Sequence, residues 1–233
     1  MKTKSIFIVI LIGLFSISAL AQTAKEKRNV DQFSKISVSG GIKVVFTQGG
    51  NYGVELESDK ENLGKVEVYT DNGTLILKRK DKELFKKSTR VTAYVSGKAL
   101  ESISISGGAN FKASNLNCDK EFSASSSGGA DIEIDKFKAN KCKISTSGGA
   151  DCKIKQLNVD ILKLSSSGGA KADINIVNAE ETAVSSSGGA SISLKGKTKN
   201  VSISASGGAG VSVKGLTYET INSSKSGGGR VIK

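Results

Sequence analysis

From residue 101 onward, apolar and polar residues alternate in short runs, and a glycine pair interrupts every second run. The tripeptide Ser-Gly-Gly begins at Ser106, Ser127, Ser147, Ser167, Ser187, Ser206 and Ser226, 19 to 21 residues apart, and alanine follows in six of the seven. Counted from that serine, apolar residues recur five before it (Phe122, Cys142, Leu162, Val201) and three before it (Ile103, Ile144, Leu164, Val184, Ile203). They recur again five after it (Phe111, Ile132, Cys152, Ile192, Val211) and seven after it (Ile134, Ile154, Ile174, Leu194, Val213). The residues between these columns are mostly Ser, Lys, Asp, Glu or Asn. Alternation at period two on both sides of the motif predicts two half-buried strands per repeat. A weaker apolar column ten after the serine (Leu116, Phe137, Leu157, Val177, Leu216, with Lys197 as the exception) predicts a third short strand or a tucked corner.

A fixed period near 20 residues with glycine in one phase is the pattern of a solenoid with one coil per repeat. The expected fold is all-β, a right-handed parallel β-helix whose like residues stack about 4.8 Å apart. A helical solenoid is disfavoured, because nothing repeats at 3.6 residues and each glycine pair would break a helix. The glycines have a backbone role, since a sharp corner needs positive φ or close approach of stacked chains. A phosphate-cradling loop would lead into a helix; each of these leads into a strand.

Residues 31–100 share this grammar but not the period. Phe33 to Phe46 repeats strand, Ser-Gly-Gly corner and strand. Val54–Leu56, Val66–Val68 and Leu75–Leu77 alternate, and Asn72-Gly73 marks a hairpin turn. The segment is expected to be a β-rich cap on the solenoid of residues 101–233, with 22–30 as a linker. Residues 1–21 read as an export signal: Lys2 and Lys4 precede an apolar stretch from Ile6 to Phe15, and Ala19-Leu20-Ala21 supplies the cleavage site. The stretch is shorter than the ~20 residues that span a bilayer, and no later segment is apolar enough to do so.

The outward columns carry the candidate chemistry. Serine stands two before the motif at Ser104, Ser125, Ser145, Ser165, Ser185 and Ser204. With the motif serines these draw two hydroxyl columns on one outer face. They read either as a hydrogen-bonded ladder or as a flat face for carbohydrate hydroxyls or, less favoured, ice. Lys112, Glu133, Lys153 and Asp173, six after the motif, alternate in sign and are expected to pair across rungs. Asp131 and Asp151 stack in one column, but calcium needs about six oxygens and the sequence supplies no such cluster.

Charge and rare residues narrow the picture further. The net charge of +12 falls to +10 without Lys2 and Lys4, and Lys78 to Arg90 concentrates basic residues, among them Lys86, Lys87 and Arg90. Histidine is absent, which removes histidine-dependent triads, histidine metal sites and histidine pH switching. Cys142 and Cys152 fall in inward columns and are expected as buried thiols, with a bridge between them left open.

In its Phe33–Phe46 segment with a Val-Ser-Gly-Gly-Ile core, its Gly73-Thr-Leu turn and its Ser-Gly-Gly-Ala repeats, the chain resembles the DUF2807 or head GIN domain family. That family is named for autotransporter-adhesin heads and is common in Bacteroidetes. The resemblance spans essentially the whole chain after the signal and implies an exported β-helical protein with adhesion as its suggested role. The sequence ends at Lys233 with no translocator barrel, so no self-sufficient autotransporter is expected.

The residues support a non-catalytic binding module of the cell envelope, periplasmic or at the surface, without cofactor or metal. Its partner is expected to be an acidic glycan or anionic surface met by the serine columns or by Lys86, Lys87 and Arg90. Nucleic acid is disfavoured by export and by scarce aromatics. An alternative is a polysaccharide-acting enzyme using Asp131, Glu133 and Asp135. Another is an assembly component, a homodimer joined through an open C-terminal coil.

Overall fold

A computed structural model describes residues 23–80 and 90–233. The signal segment and its cleavage site, and Lys86 and Lys87, lie outside the described residues. The protein is a β-solenoid of about seven turns, its coils about 20 residues long and hydrogen-bonded into one continuous sheet.

The middle coils show the logic most plainly. β9 (Asn110–Ser126), β10 (Asp131–Thr146) and β11 (Asp151–Ser166), numbered in chain order, are long bent strands stacked in parallel. Residue by residue the register matches the repeat: Phe111, Ile132 and Cys152 stack, as do Phe122, Cys142 and Leu162. Each of these is buried. Leu116, Phe137 and Leu157 also stack inward, so the third apolar column belongs to the same bent strands. Phe122 packs edge-on against Phe137 with ring centroids 4.6 Å apart. Every rung adds a layer to a single apolar stripe, so stability accumulates by nearest-neighbour stacking.

Subsequent coils continue through β12 (Lys171–Asn178), β13 (Glu181–Ser186), β14 (Ser191–Lys197) and β15 (Asn200–Ala205). The last ones hold β16 (Gly210–Ser212), β17 (Leu216–Thr217), β18 (Thr220–Lys225) and β19 (Arg230–Ile232). One column departs from the repeat. Between Ile154–Ile174 and Leu157–Ile176 the register shifts by one residue, so Ile176 takes the inward site. Val177, expected inside, is 53% exposed.

The solenoid begins earlier than the repeat count places it. β2 (Lys35–Val38) stacks in parallel on β8 (Ser102–Ile105), and β3 (Ile42–Gln48) stacks on β9. Phe46 lies over Phe111, with ring centroids 6.1 Å apart. On their other side, β2 pairs with β6 (Thr74–Arg79) and β3 with β7 (Val91–Gly97), which form a further rung. Antiparallel partners then close this end: β5 (Val66–Asp71) on β6, β4 (Gly53–Ser58) on β7, and β1 (Ala24–Arg28) on β4. The helix α1 (Lys60–Gly64), capped by the Asp59 carboxylate on Asn62 N–H, carries the chain from β4 to β5. Residues 22–30, expected as linker, therefore contain a strand. Lys25 and Lys27 face Glu57 and Glu55 across it, so charge complementarity rather than an apolar pattern defines the pairing.

From the Gly148 corner onward only the first glycine of each pair has positive φ, and the two do different work. Gly168 has φ +70°, and a Cβ on it would lie 3.1 Å from both N and O of Gly148 one rung below. Gly169 lies outside the left-handed region; its N–H donates to Gly148 O at 2.7 Å. Ala170 closes the turn on Ser167 O and is fully buried.

Candidate functional site

The parallel register converts the serine phase into a ladder. Ser37, Ser104, Ser125, Ser145, Ser165, Ser185, Ser204 and Ser224 are successive rung partners along the whole stack. Ser104, Ser125, Ser165, Ser185 and Ser204 are exposed, and Ser145 is half-buried. Ser37 had been concealed by the long insertion between β3 and β7. Among the described residues none of these hydroxyls hydrogen-bonds a protein group, so they stand free toward solvent. The motif serines are different: Ser127, Ser147, Ser167, Ser187 and Ser206 are half-buried at the corners, so one hydroxyl column rather than two lies on the open face.

The column beside the ladder was missed in the sequence reading. Lys143 and Lys163 are rung partners, followed by Ala183 and Ser202 in the same column. Both lysines are exposed, and among the described residues neither forms an ion pair. Like charges on adjacent rungs disfavour each other by some tenths of a kcal/mol. Between them and Ser165, Ser185 and Ser204 runs a shallow groove of about 240 Å³, with Ala183 in its floor. The arrangement offers two unneutralised ammonium groups and a row of hydroxyls at rung spacing, about 4.8 Å. The signal was present in the alignment: lysine stands two before the ladder serine in consecutive repeats.

Behind the ladder, on the core side, Ser126, Thr146, Ser166 and Ser186 form a buried hydroxyl column. Thr146 Oγ1 donates to Ser166 Oγ at 2.9 Å, and Ser126 donates to Ala130 O. Among the described residues Ser186 Oγ has no hydrogen-bond partner. These are structural groups beneath the corner.

The face across the glycine corner is charge-committed. Glu133 receives the ammonium of Lys112 at 2.5 Å and that of Lys155 at 3.2 Å; Lys155 also reaches Asp135 at 2.6 Å. Lys112 pairs with Glu133 across the rungs, as expected. On the other side Lys155 takes the place expected for Lys153. The hydrogen bond from Lys112, then that from Lys155, hold the Glu133 carboxyl below its usual value. A sugar-cleaving general acid needs the opposite shift. Asp131 and Asp151 do stack in register and line a groove with Lys153 and Lys171. No cluster of three or more metal-ligating side chains occurs among the described residues.

Cys118, Cys142 and Cys152 are free and buried. Burial pushes the Cys152 thiol up to about 12 and the Cys142 thiol well above its ordinary value, so neither is a nucleophile at neutral pH. Arg90 is exposed, and its carbonyl accepts a hydrogen bond from Ser58 Oγ at 3.1 Å. It lies at the start of β7, apart from the groove beside Lys143 and Lys163. No described helix is long and apolar enough to cross a membrane.

Comparison with known proteins agrees with this fold. A family model described as "Putative auto-transporter adhesin, head GIN domain" matches residues 32–155 and 140–232. A search of curated proteins found no match. Among solved structures, a "putative adhesin" from Parabacteroides distasonis is 19% identical, with a TM-score of 0.70 over 91% of this chain and 94% of that one. A "putative adhesin" from Bacteroides fragilis is 18% identical, with a TM-score of 0.67 over 88% and 95% of the two chains. A "Putative lipid binding protein" from Parabacteroides distasonis is 13% identical, with a TM-score of 0.59 over 91% and 96%. At these identities the likeness is one of fold.

Proposed function

The chain belongs to the DUF2807, head GIN domain family, and from that premise we propose that it is an exported, non-catalytic binding module of the cell envelope that holds acidic polysaccharide along its serine face. One observation carries the reading: a largely exposed serine ladder runs beside two stacked lysines, and among the described residues neither the ladder hydroxyls nor the lysines have a side-chain partner. A polyanionic sugar chain lying along the stack meets hydroxyls that donate and accept at each rung. Its carboxylates relieve the repulsion between Lys143 and Lys163. The exposed Arg90 adds a cation at the start of β7, and in the sequence Lys86 and Lys87 add to the basic charge that favours an acidic ligand. Residues 1–21 supply the export signal this role requires.

The experiment is retention of the protein on immobilised polygalacturonate and on uncharged dextran. Retention on the first, weakened by salt over the Debye range, and none on the second is expected. Equal behaviour on the two matrices would sink the reading.

A further inference from the structure

A separate groove lies at the capping end. It encloses about 670 Å³ between the end of β1, the start of β4 and β7, and its lining includes Lys27, Tyr52, Gly53, Glu55, Tyr94 and Ser96. Its size falls within the range of small-molecule sites, roughly 300–1,000 Å³. We propose that this groove is a second saccharide site, separate from the serine face, which takes a single pyranose ring bearing one carboxylate.

The chemistry of the walls selects that class. A pyranose presents an apolar C–H face and an equator of hydroxyls, so it needs a flat ring beside polar groups. Tyr94 is 41% exposed, yet its ring is held in place. The neighbouring Glu57 holds its phenol above the usual value, and Lys25 Nζ sits 5.3 Å from the ring centroid. Tyr52 is fixed edge-on against Phe33 with centroids 5.2 Å apart. Two immobilised tyrosines offer contact area at little entropic cost. Gly53 stands opposite Ser96, whose Oγ would lie 3.3 Å from a Cβ added there and is tied to Asn51 O at 2.8 Å.

The charges select the substituent. Glu55 is paired with Lys25 at 3.2 Å, an ammonium that also reaches Glu57 at 3.7 Å, and Arg28 is paired with Glu26 at 3.2 Å. Lys27 lines the groove and is exposed; it faces Glu55 across the strand pair, yet among the described residues it forms no ion pair. One uncommitted cation beside two aromatic rings matches one ligand carboxylate. The site arises from antiparallel pairing in the cap, which the repeats do not share, so it would read one sugar rather than a run of them.

The test uses the protein's own fluorophores, since it contains 4 tyrosines and no tryptophan. Titration with glucuronate is expected to change tyrosine emission saturably, and glucose to bind more weakly. Tyr94→Ala weakens glucuronate binding roughly fivefold or more. Lys27→Gln removes the preference for glucuronate over glucose while leaving the weaker glucose binding. Both residues are surface-exposed, and an unchanged melting temperature verifies that each variant folds. The Lys143→Gln/Lys163→Gln variant retains glucuronate binding while losing polygalacturonate retention, which separates this site from the serine face. Absence of saturation up to about 10 mM glucuronate, well above a ~1 mM affinity, would overturn the proposal. So would full binding by both Tyr94→Ala and Lys27→Gln.

Discussion

Substituting alanine at each glycine of a single corner separates the two jobs that the Gly-Gly pair performs. At Gly168, with φ +70°, an L side chain is forced into left-handed backbone, which costs about 1–2 kcal/mol. The added Cβ also lies 3.1 Å from N and O of Gly148. Those atoms belong to the stacked backbone and cannot swing aside, so overpacking adds about 1–3 kcal/mol. The loss of unfolded-chain freedom returns about 0.4–1 kcal/mol, leaving a net destabilisation of about 2–4 kcal/mol. At Gly169 the backbone is ordinary and the nearest atom to an added Cβ is 3.5 Å away, an unstrained contact. Only the unfolded-state gain remains there, so Gly169→Ala is neutral or stabilises by up to about 1 kcal/mol. Urea unfolding monitored by circular dichroism measures both. With a slope of about 2 kcal/mol per molar urea, Gly168→Ala lowers the midpoint by about 1–2 M and Gly169→Ala leaves it in place or raises it. Equal losses at the two positions, or an unchanged midpoint for Gly168→Ala, would refute the division of labour.

Phe122→Ala removes a fully buried ring in edge contact with Phe137 and should cost about 3–5 kcal/mol, read from the same unfolding curves. Ser186→Ala deletes a buried hydroxyl that has no partner and should raise the midpoint, by the equivalent of about 1 kcal/mol; a clear loss would show that the hydroxyl is engaged. Ellman's reagent should find no reactive thiol in the native protein and all three of Cys118, Cys142 and Cys152 after denaturation without reductant; fewer would reveal a bridge. Glu133 has a depressed folded value, so its contribution is present above the unfolded carboxyl value and lost as pH falls through the folded one. Glu133→Gln should therefore lower stability slightly at pH 7, by no more than about 1 kcal/mol for so exposed a network. The difference from the parent should vanish in acid.

The coil could be read from the sequence because a parallel solenoid maps chain period directly onto spatial register. Phe122, Cys142 and Leu162 stack as aligned, and the ladder from Ser104 to Ser204 follows from the same arithmetic. Where mapping from chain to space is not periodic, the reading stopped. β6 and β7 come later in the chain than β2 and β3 yet stack on their outer side, so Ser37 could not be joined to the ladder by counting. Strand β1 carries almost no apolar residue, and only its cross-strand charges announce it. Val177 moved outward because the register shift before it was compensated within a few residues, invisible to a column count. Lys143 and Lys163 were legible but overlooked, because lysine on an outward column reads as solvation until the absence of any partner carboxylate is seen. The tyrosine groove depends on antiparallel contacts that no repeat encodes.

The account turns on whether the serine face with its paired lysines is the binding surface. Calorimetric titration of the protein with polygalacturonate at physiological salt, alongside the Lys143→Gln/Lys163→Gln variant, puts that question most directly. Two exposed ion pairs lost at about 0.2–1 kcal/mol each predict affinity weakened by up to roughly thirtyfold, with folding stability unchanged or slightly improved by the relieved repulsion. Undiminished affinity in the variant would contradict the account.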